Sequence, residues 1–319
     1  MMRALFGFLA AVALCFAGPA SAQTTTRLSI GTGGTGGVYY PLGGGMAAIL
    51  SKHVPGWEAT AEVTGASVAN LQLIGQGKQD FGFSMSDSAY DATRGDGKFK
   101  GHPVDARTLM VLYPNKMHVV TVQGNGINQL TDFKGKRIST GEPNSGTEVM
   151  SLRLLEAAGI AKDVDRERLS VAEGVNAMKD RKIDGLIWVG GVPTAAITDL
   201  AATPGITIHL LDHAQYADAM NKKWGPLYVK GIIPAGSYKG QDKDVTNIDV
   251  WNLLVADKKM SDQMAYTIVK TLMEHKDDLV AVHREAKNIT LEAQANGSPI
   301  PMHPGARKYW EERGVKFAN

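Results

Sequence analysis

An α/β fold of two similar lobes with a ligand cleft between them is what this sequence predicts. Three observations lead there. Short apolar strands alternate with helical segments along the chain, the pattern of sheets covered by helices. Turns rich in glycine and serine stand where strands feed helices. One unit also recurs. A helix at Asn70-Leu71 leads through Lys78-Gln79-Asp80 into the strand Phe81-Gly82-Phe83. A second helix, at Asn176-Ala177-Met178, leads through Ile183-Asp184-Gly185 into Leu186-Ile187. The polar turns Thr64-Gly65-Ala66-Ser67 and Asn144-Ser145-Gly146-Thr147 form a second echo.

The elements follow in order. Met1-Met2-Arg3, the uncharged run Ala4–Phe16, the break Gly18-Pro19 and the small-x-small Ala20-Ser21-Ala22 make a secretory signal peptide. Cleavage is expected after Ala22, which places the mature protein in the periplasm. Arg27–Ile30 reads as a strand and Pro41–His53 as a helix, with proline at its first position. Ala59–Thr64 is a strand, Ser67–Gln76 a helix and Phe81–Ser84 a short apolar strand. Leu109–Tyr113 and His118–Val122 read as two strands and Lys136–Thr140 as another. Thr147–Ala158 is a helix closed by Gly159. Gly174–Asp180 begins a helix, and Gly185–Val189 and Ile206–Leu211 are strands. Ser261–Arg284 and Gly305–Gly314 read as helices. The expected organisation is residues 1–22 as signal, 23–116 plus 229–319 as lobe I, and 117–228 as lobe II. The chain would cross between lobes near 114–118 and 225–230.

Composition narrows the function. Basic residues number 34 and acidic ones 32, with no basic run, so nucleic acid is not an expected partner. No segment after the signal approaches the roughly 18 apolar residues of a membrane span. The single cysteine, Cys15, lies in the signal. The mature chain therefore has no disulfide, thiolate nucleophile or cysteine–metal site. Its size allows an ordinary hydrophobic core and two domains. No Gly-x-Ser-x-Gly elbow occurs. His209 and His213 have metal-like spacing but straddle a strand and the turn after it, with Asp212 as an N-cap, so no metal is expected. No cofactor is expected either.

Ligand chemistry concentrates at three helix starts. Leu28–Gly31 feeds a loop of five glycines ending in Tyr39-Tyr40-Pro41. Gly31-x-Gly33-x-x-Gly36 matches the dinucleotide fingerprint in letters, but no acidic residue closes the second strand, and no Gly-Lys-Ser/Thr follows. A carboxylate-binding turn built from Gly33, Gly34 and Gly37 fits better, because glycine lets backbone N–H groups approach a ligand. Thr64, Gly65 and Ser67 form the second start, with Ser67 as N-cap. Ser145, Gly146 and Thr147 form the third, with a Ser-x-x-Glu capping box. Each start offers unpaired N–H donors and a partial positive charge. All three lie at the carboxyl ends of strands, where α/β sheets bind ligands. One of Tyr39 and Tyr40 would cover the ligand and the other join the core. Ser84, Met85 and Asp87 follow the Phe81 strand; Asp87 would accept from a ligand ammonium or cap a helix near Ala89. Trp188 would wall the site or fill the core, and Gly190 would let backbone approach the ligand.

These stretches resemble the TAXI family, the immunogenic-protein-like receptors of TRAP transporters. The resemblance rests on Ile30–Gly43, Gly65-Ala66-Ser67-Val68-Ala69-Asn70, Leu112-Tyr113-Pro114, Leu130–Arg137, Pro143-Asn144-Ser145-Gly146-Thr147-Glu148, Ile233-Pro234-Ala235-Gly236 and Pro301–Ala306. It covers nearly the whole mature chain. It implies a type II periplasmic binding protein fold and capture of a small organic anion, with glutamate, glutamine and 2-oxoglutarate as the known kinds. It also implies delivery to a TRAP-type permease driven by an ion gradient. The family's ligand contacts map onto Gly33–Tyr40, Gly65–Ser67, Ser84–Asp87 and Ser145–Thr147. Met85 stands where the family commonly has glutamine. That exchange trades a polar contact for an apolar one and favours a less polar acid or a keto acid over glutamate. The receptor is expected to act as a monomer and not as an enzyme; the rival readings are a secreted enzyme acting on a small carboxylate, for which the sequence offers no convincing base, and a ligand-sensing module of the same fold.

Overall fold

A computed structural model describes residues 25–317 of the chain. The signal peptide and Cys15 lie outside the described residues. The first elements are β1 (Thr26–Gly31), α1 (Tyr39–His53), β2 (Trp57–Glu62), α2 (Ser67–Gly75), β3 (Phe81–Met85), α3 (Ser86–Arg94) and β4 (Ala106–Val122). Next come β5 (Arg137–Ser139), α4 (Gly146–Ala157), β6 (Asp165–Glu167), α5 (Val171–Lys179), β7 (Gly185–Gly190), α6 (Ala195–Ala202), β8 (Ile208–Leu210) and α7 (Ala217–Trp224). The chain ends with β9 (Val229–Ile233), β10 (Val245–Asp257), α8 (Asp262–Glu274), α9 (Lys276–Val282), α10 (Leu291–Asn296) and α11 (Pro304–Glu312).

The strands hydrogen-bond in the order β2-β1-β3-β10-β4-β7-β5-β6, with β8 on β4 and β9 on β10. The outer pairs are parallel, as the strand–helix alternation predicts: β1 with β2 and β3, β5 with β6 and β7. The long strands β4 and β10 are antiparallel to their neighbours. This is the two-lobed α/β architecture of a type II periplasmic binding protein. Each end of the sheet has its own apolar cores. Leu28, Ile30, Leu42, Met46, Phe83 and Trp310 belong to one at the β1 end; Phe133, Ile138, Met150, Leu154 and Ile187 belong to one at the β5 end.

The recurring helix–strand unit is real in three dimensions. Asp80, just before β3, accepts the Ser29 N–H within β1 at 2.7 Å. Asp184, just before β7, accepts the Arg137 N–H at the start of β5 at 2.9 Å. In both halves a carboxylate just before one parallel strand accepts a backbone N–H of the neighbouring strand. The second echo extends to the backbone: Ala66 and Asn144 both adopt left-handed φ, 65° and 64°.

Several boundaries differ from expectation, each for a local reason. Leu109–Tyr113 and His118–Val122 are one strand of 17 residues, β4, running straight through Pro114. Proline lacks an N–H, so it suits a position with no partner on one side. β4 pairs with β7 only from Lys116 onward. Before that point its other edge is covered by Gln294, whose side chain donates to Val111 O at 2.7 Å and accepts from Val111 N at 2.8 Å. The expected helix Ser261–Arg284 is two helices, α8 and α9, meeting at His275. The helix after the glycine loop begins at Tyr39, which puts Pro41 inside the first turn, where its missing N–H still costs nothing. Residues 225–230 lead from α7 into β9, which pairs with Val245–Asp249 of β10. From Asn252 onward β10 pairs with β3.

Candidate functional site

The glycine loop, the start of α2 and the start of α4 converge on one cleft. Its walls include Gly33, Gly34, Gly37, Tyr39, Ser67, Met85, Ser145, Gly146, Thr147, Trp188 and Gly190. Sequence reasoning had named all of these. Val38 and Ala66, which also line it, fall within the mapped segments Gly33–Tyr40 and Gly65–Ser67; Tyr113, Glu142 and Val189 are further lining residues that the sequence does not single out.

Asn70 assembles the first wall. It is fully buried, and its amide donates to Thr32 O at 2.8 Å and Phe83 O at 2.9 Å. Its carbonyl accepts from the Thr64 hydroxyl at 2.6 Å. One side chain thus ties the loop after β1 to β3 and to the turn before α2. Ala66, not Ser67, holds the N-cap position of α2, and the Thr64 hydroxyl accepts the Ala66 N–H at 3.0 Å. Ser67 instead accepts the Met85 N–H at 3.0 Å.

The second wall is α4. Ser145 caps it as expected, accepting the Glu148 N–H at 2.9 Å and donating to Glu142 O at 2.7 Å. The reciprocal half of the box is shifted by one residue, because Glu148 accepts from Asn144 N at 3.2 Å. The Ser145 hydroxyl is therefore committed to the turn. The N–H groups of Gly146 and Thr147 have no acceptor among the described residues, and neither do those of Ser67 and Val68. The two helix starts also touch: Ala69 N–H donates to Asn144 O at 3.1 Å.

The walls approach each other closely at two glycines. A Cβ on Gly146 would stand 2.2 Å from the Met85 methyl and 2.7 Å from Ser67 Oγ. A Cβ on Gly37 would stand 3.0 Å from the Trp188 ring. That indole is fixed by its own N–H, which donates to Thr194 Oγ1 at 2.9 Å. The Tyr39 ring stacks on Phe83 with centroids 4.9 Å apart, and its hydroxyl donates to Asn252 Oδ1. Burial pushes the Tyr39 pKa well up, and its oxygen is flanked by Ser67 and Asn115.

Five expected residues lie elsewhere. Tyr40 points outward and is exposed. Thr64 serves the Asn70 network, and a Cβ on Gly65 would meet Pro143 O at 3.0 Å, so Gly65 packs behind the site. Ser84 donates to Met85 O at 2.9 Å. Asp87 sits at the start of α3, accepting from Ser88 N at 2.7 Å and from the Tyr228 hydroxyl at 3.0 Å. It also pairs with Arg153 at 3.5 Å. Its carboxylate is spent on this buried network, which adds Asp91, bonded to the other Arg153 nitrogen. Burial raises Asp91 to about 6 against the opposing pull of Arg153.

The electrostatics of the cleft are unusual for an anion site. Among the described residues, no Lys, Arg or His lines it, and Glu142 is its one charged side chain. The Glu142 carboxyl has no hydrogen-bond or ion-pair partner among the described residues. Burial, with the charge of Glu173 second, pushes its pKa up to about 7. Positive potential comes from the helix starts alone. Away from the cleft, His213 is buried with Nδ1 bonded to Leu211 O at 2.8 Å, while Asp212 binds Thr246 instead of capping a helix. His209 lies in β8, so the two histidines are not assembled as a ligand pair.

Fold and cleft together define the class: a two-lobed α/β binding-protein fold with its pocket between sheet ends. Residues 30–314 match the model of the NMT1-like family, and the chain belongs to it. Solved structures share the fold at low identity. A protein from Bordetella bronchiseptica RB50 superposes with a TM-score of 0.58 and 15% identity, over 90% of this chain and 98% of that one. The periplasmic aliphatic sulphonate binding protein SsuA from Escherichia coli gives 0.50 and 14%, over 90% and 84%. A putative L-cystine ABC transporter protein from Listeria monocytogenes gives 0.50 and 16%, over 83% and 96%. Among the described residues, no helix is long and apolar enough to cross a membrane.

Proposed function

We propose that this protein is a periplasmic solute receptor that captures a small organic anion and hands it to a TRAP-type permease. The observation that carries this is the convergence of free N–H groups at the α2 and α4 starts on one cleft. A carboxylate seated there gains hydrogen bonds and the favourable ends of two helix dipoles. The sulphonate-binding neighbour is consistent with an anion site on this fold. The permease class rests on the TAXI resemblance. The protein acts by binding, without converting its ligand.

The mechanism is a clamp. The lobes are 23–116 with the C-terminal region, and the intervening segment from 117. The first crossing lies at 114–118. The second falls within β10, between its β9 pairing at Asp249 and its β3 pairing at Asn252, and not at 225–230. Gly146 against Met85 and Ser67, and Gly37 against Trp188, are the contact points of the closed form. The ligand must bind the closed form more tightly, or closure has no cause. Small-angle scattering on the mature protein tests this. A saturating carboxylate should shrink the radius of gyration; unchanged dimensions at saturation would refute the clamp.

The unpaired Glu142 favours a second ligand type, an α-amino acid whose ammonium meets that carboxylate while its own carboxylate takes the helix starts. The sign of the pH dependence separates the two.

A further inference from the structure

A second group of chemistry-bearing side chains lies away from the cleft, where the ends of α1, α8 and α9 meet. His53 is the last residue of α1, and His275 joins α8 to α9. α1 has 15 residues. A rise of about 1.5 Å per residue puts His53 on the order of 20 Å from Tyr39 at the cleft. α1 packs tightly on α9: a Cβ on Gly45 would stand 3.1 Å from the Val282 side chain and 3.4 Å from that of Leu279. Leu50 and Leu279 are fully buried in the same core. His53 lies one turn after Leu50, and Asp278 directly precedes Leu279. The core therefore fixes where both side chains start.

The imidazoles of His53 and His275 stack face to face, with centroids 3.6 Å apart and planes 23° from parallel. The Asp278 carboxylate stands 3.8 Å from His275 Nδ1. One nitrogen from each ring and one carboxylate oxygen all lie within 4.8 Å of one another. The 3.8 Å separation is beyond hydrogen-bond reach. Neither imidazole nor the carboxylate bonds any other group among the described residues. Lys276 is held by the carbonyls of Lys287 and Ile289 at 3.2 and 2.6 Å. Lys52 precedes His53 on α1, and consecutive helical residues do not face each other.

Three donors gathered by the core and left unbonded are what a metal ion completes. Imidazole with carboxylate suits zinc, which binds nitrogen at about 2.0–2.1 Å and carboxylate oxygen at about 2.0–2.2 Å. Two such ligands on a tetrahedral centre sit about 3.4 Å apart, so the gathered atoms need to close by only roughly 1 Å. The Asp278 side chain is 65% exposed and free to make that movement. Its exposure also leaves room for water as the fourth ligand. The group stands at the C-terminal ends of α1 and α8, whose partial negative charge favours a cation.

We propose that His53, His275 and Asp278 form a site for one divalent ion of the zinc class, which staples the end of α1 to the α8–α9 joint. The site is separate from the solute cleft and does not depend on what the cleft binds.

The test is calorimetry with zinc chloride on the mature chain, free of any affinity tag and stripped with EDTA. One zinc ion per chain should bind with a dissociation constant of about 100 µM or tighter. Losing a group that only supports a metal ligand costs about 10–100-fold in affinity, so losing a ligand should cost at least about tenfold. His53→Gln, His275→Gln and Asp278→Ala should each show that loss. All three side chains are at the surface, so the metal-free variants should melt with the parent, and zinc should raise the melting temperature of the parent alone. His102→Gln removes an exposed histidine outside the group and should bind zinc as the parent does. Mg²⁺ in about fiftyfold excess should not displace the zinc, because it demands oxygen ligands in octahedral geometry. No saturable binding below about 1 mM zinc overturns the site. So does zinc affinity that survives both histidine substitutions, or that is lost in His102→Gln, since the ion then sits elsewhere. Displacement by Mg²⁺ overturns it as well, because the ion would then be held by oxygens.

Discussion

Replacing Glu142 by glutamine separates two kinds of ligand and also has a defined effect on the free protein. The folded protein holds this carboxyl at about 7, up from 4.5, chiefly by burial. A raised acid pKa means that the folded state prefers the proton. The associated stability is fully present below pH 4.5 and is lost as pH rises through 7. The shift corresponds to at most about 3 kcal/mol at 1.36 kcal/mol per unit. Solvent at the half-buried carboxyl screens it to roughly 1–2 kcal/mol. Glu142→Gln should therefore stabilise the protein by that amount at pH 8.5 and by nothing near pH 4.5. Binding follows the same logic. For a plain anion on the α4 start, ionised Glu142 repels the ligand. At a separation on the order of 6 Å and an effective dielectric of 20, that repulsion is about 3 kcal/mol before salt screening. Affinity should then fall about tenfold from pH 6 to pH 8.5 in the native protein and stay flat in Glu142→Gln. Calorimetry at the two pH values, with the tightest carboxylate found by screening, reads this directly. Affinity that rises with pH would refute the plain-anion reading and favour an ammonium beside Glu142. A flat native profile would refute any contact between Glu142 and the ligand.

Three further outcomes follow. Asn70→Ala removes two donors from the buried carbonyls of Thr32 and Phe83. It should cost about 2–4 kcal/mol, seen as a melting point lower by roughly 5–12 °C together with weakened binding. Gly146→Val places a branched side chain against Met85 and Ser67; scattering should show a protein that stays extended with saturating ligand, and a ligand-induced contraction equal to wild type would contradict the contact. Arg153→Met strands the buried Asp87 and Asp91 carboxylates, and denaturant unfolding at pH 8 should show a loss of about 3–5 kcal/mol. Raising Asp91 further protonates it at lower pH, so that deficit should shrink at pH 5.

Much of the site was legible because its chemistry is local. Glycines, a serine cap and a proline announce a helix start within a few residues, and eleven expected residues do line the cleft. Asp80 and Asp184 were visible as an echo because each sits immediately before its strand. The misses are long-range. β10 is a 13-residue strand whose apolar run is broken by Asn247, Asp249 and Asn252; Asp249 pairs with Lys116 and Asn252 with Tyr39, both far away in sequence. Asp87 looked available from its neighbours, yet Arg153 and Tyr228, distant along the chain, claim its carboxylate. Pro114 looked like a strand break, because nothing nearby shows that Gln294 covers the edge before it. Glu142 lies one residue before the recognised Pro143–Glu148 turn, and only the approach of the glycine loop reveals that it faces the cleft. A Cβ on Gly34 would stand 4.0 Å from its carboxyl oxygen.

A thermal-shift screen of small carboxylates and amino acids on the mature protein asks most directly whether this cleft is a receptor site. A ligand present at 100 times its dissociation constant stabilises by about 2.7 kcal/mol, or roughly 5–10 °C for a protein of this size. The cleft described above predicts a saturable rise of that order for at least one small carboxylate, abolished by Gly146→Val. No rise for any compound at 10 mM, or a rise that Gly146→Val leaves intact, would contradict it.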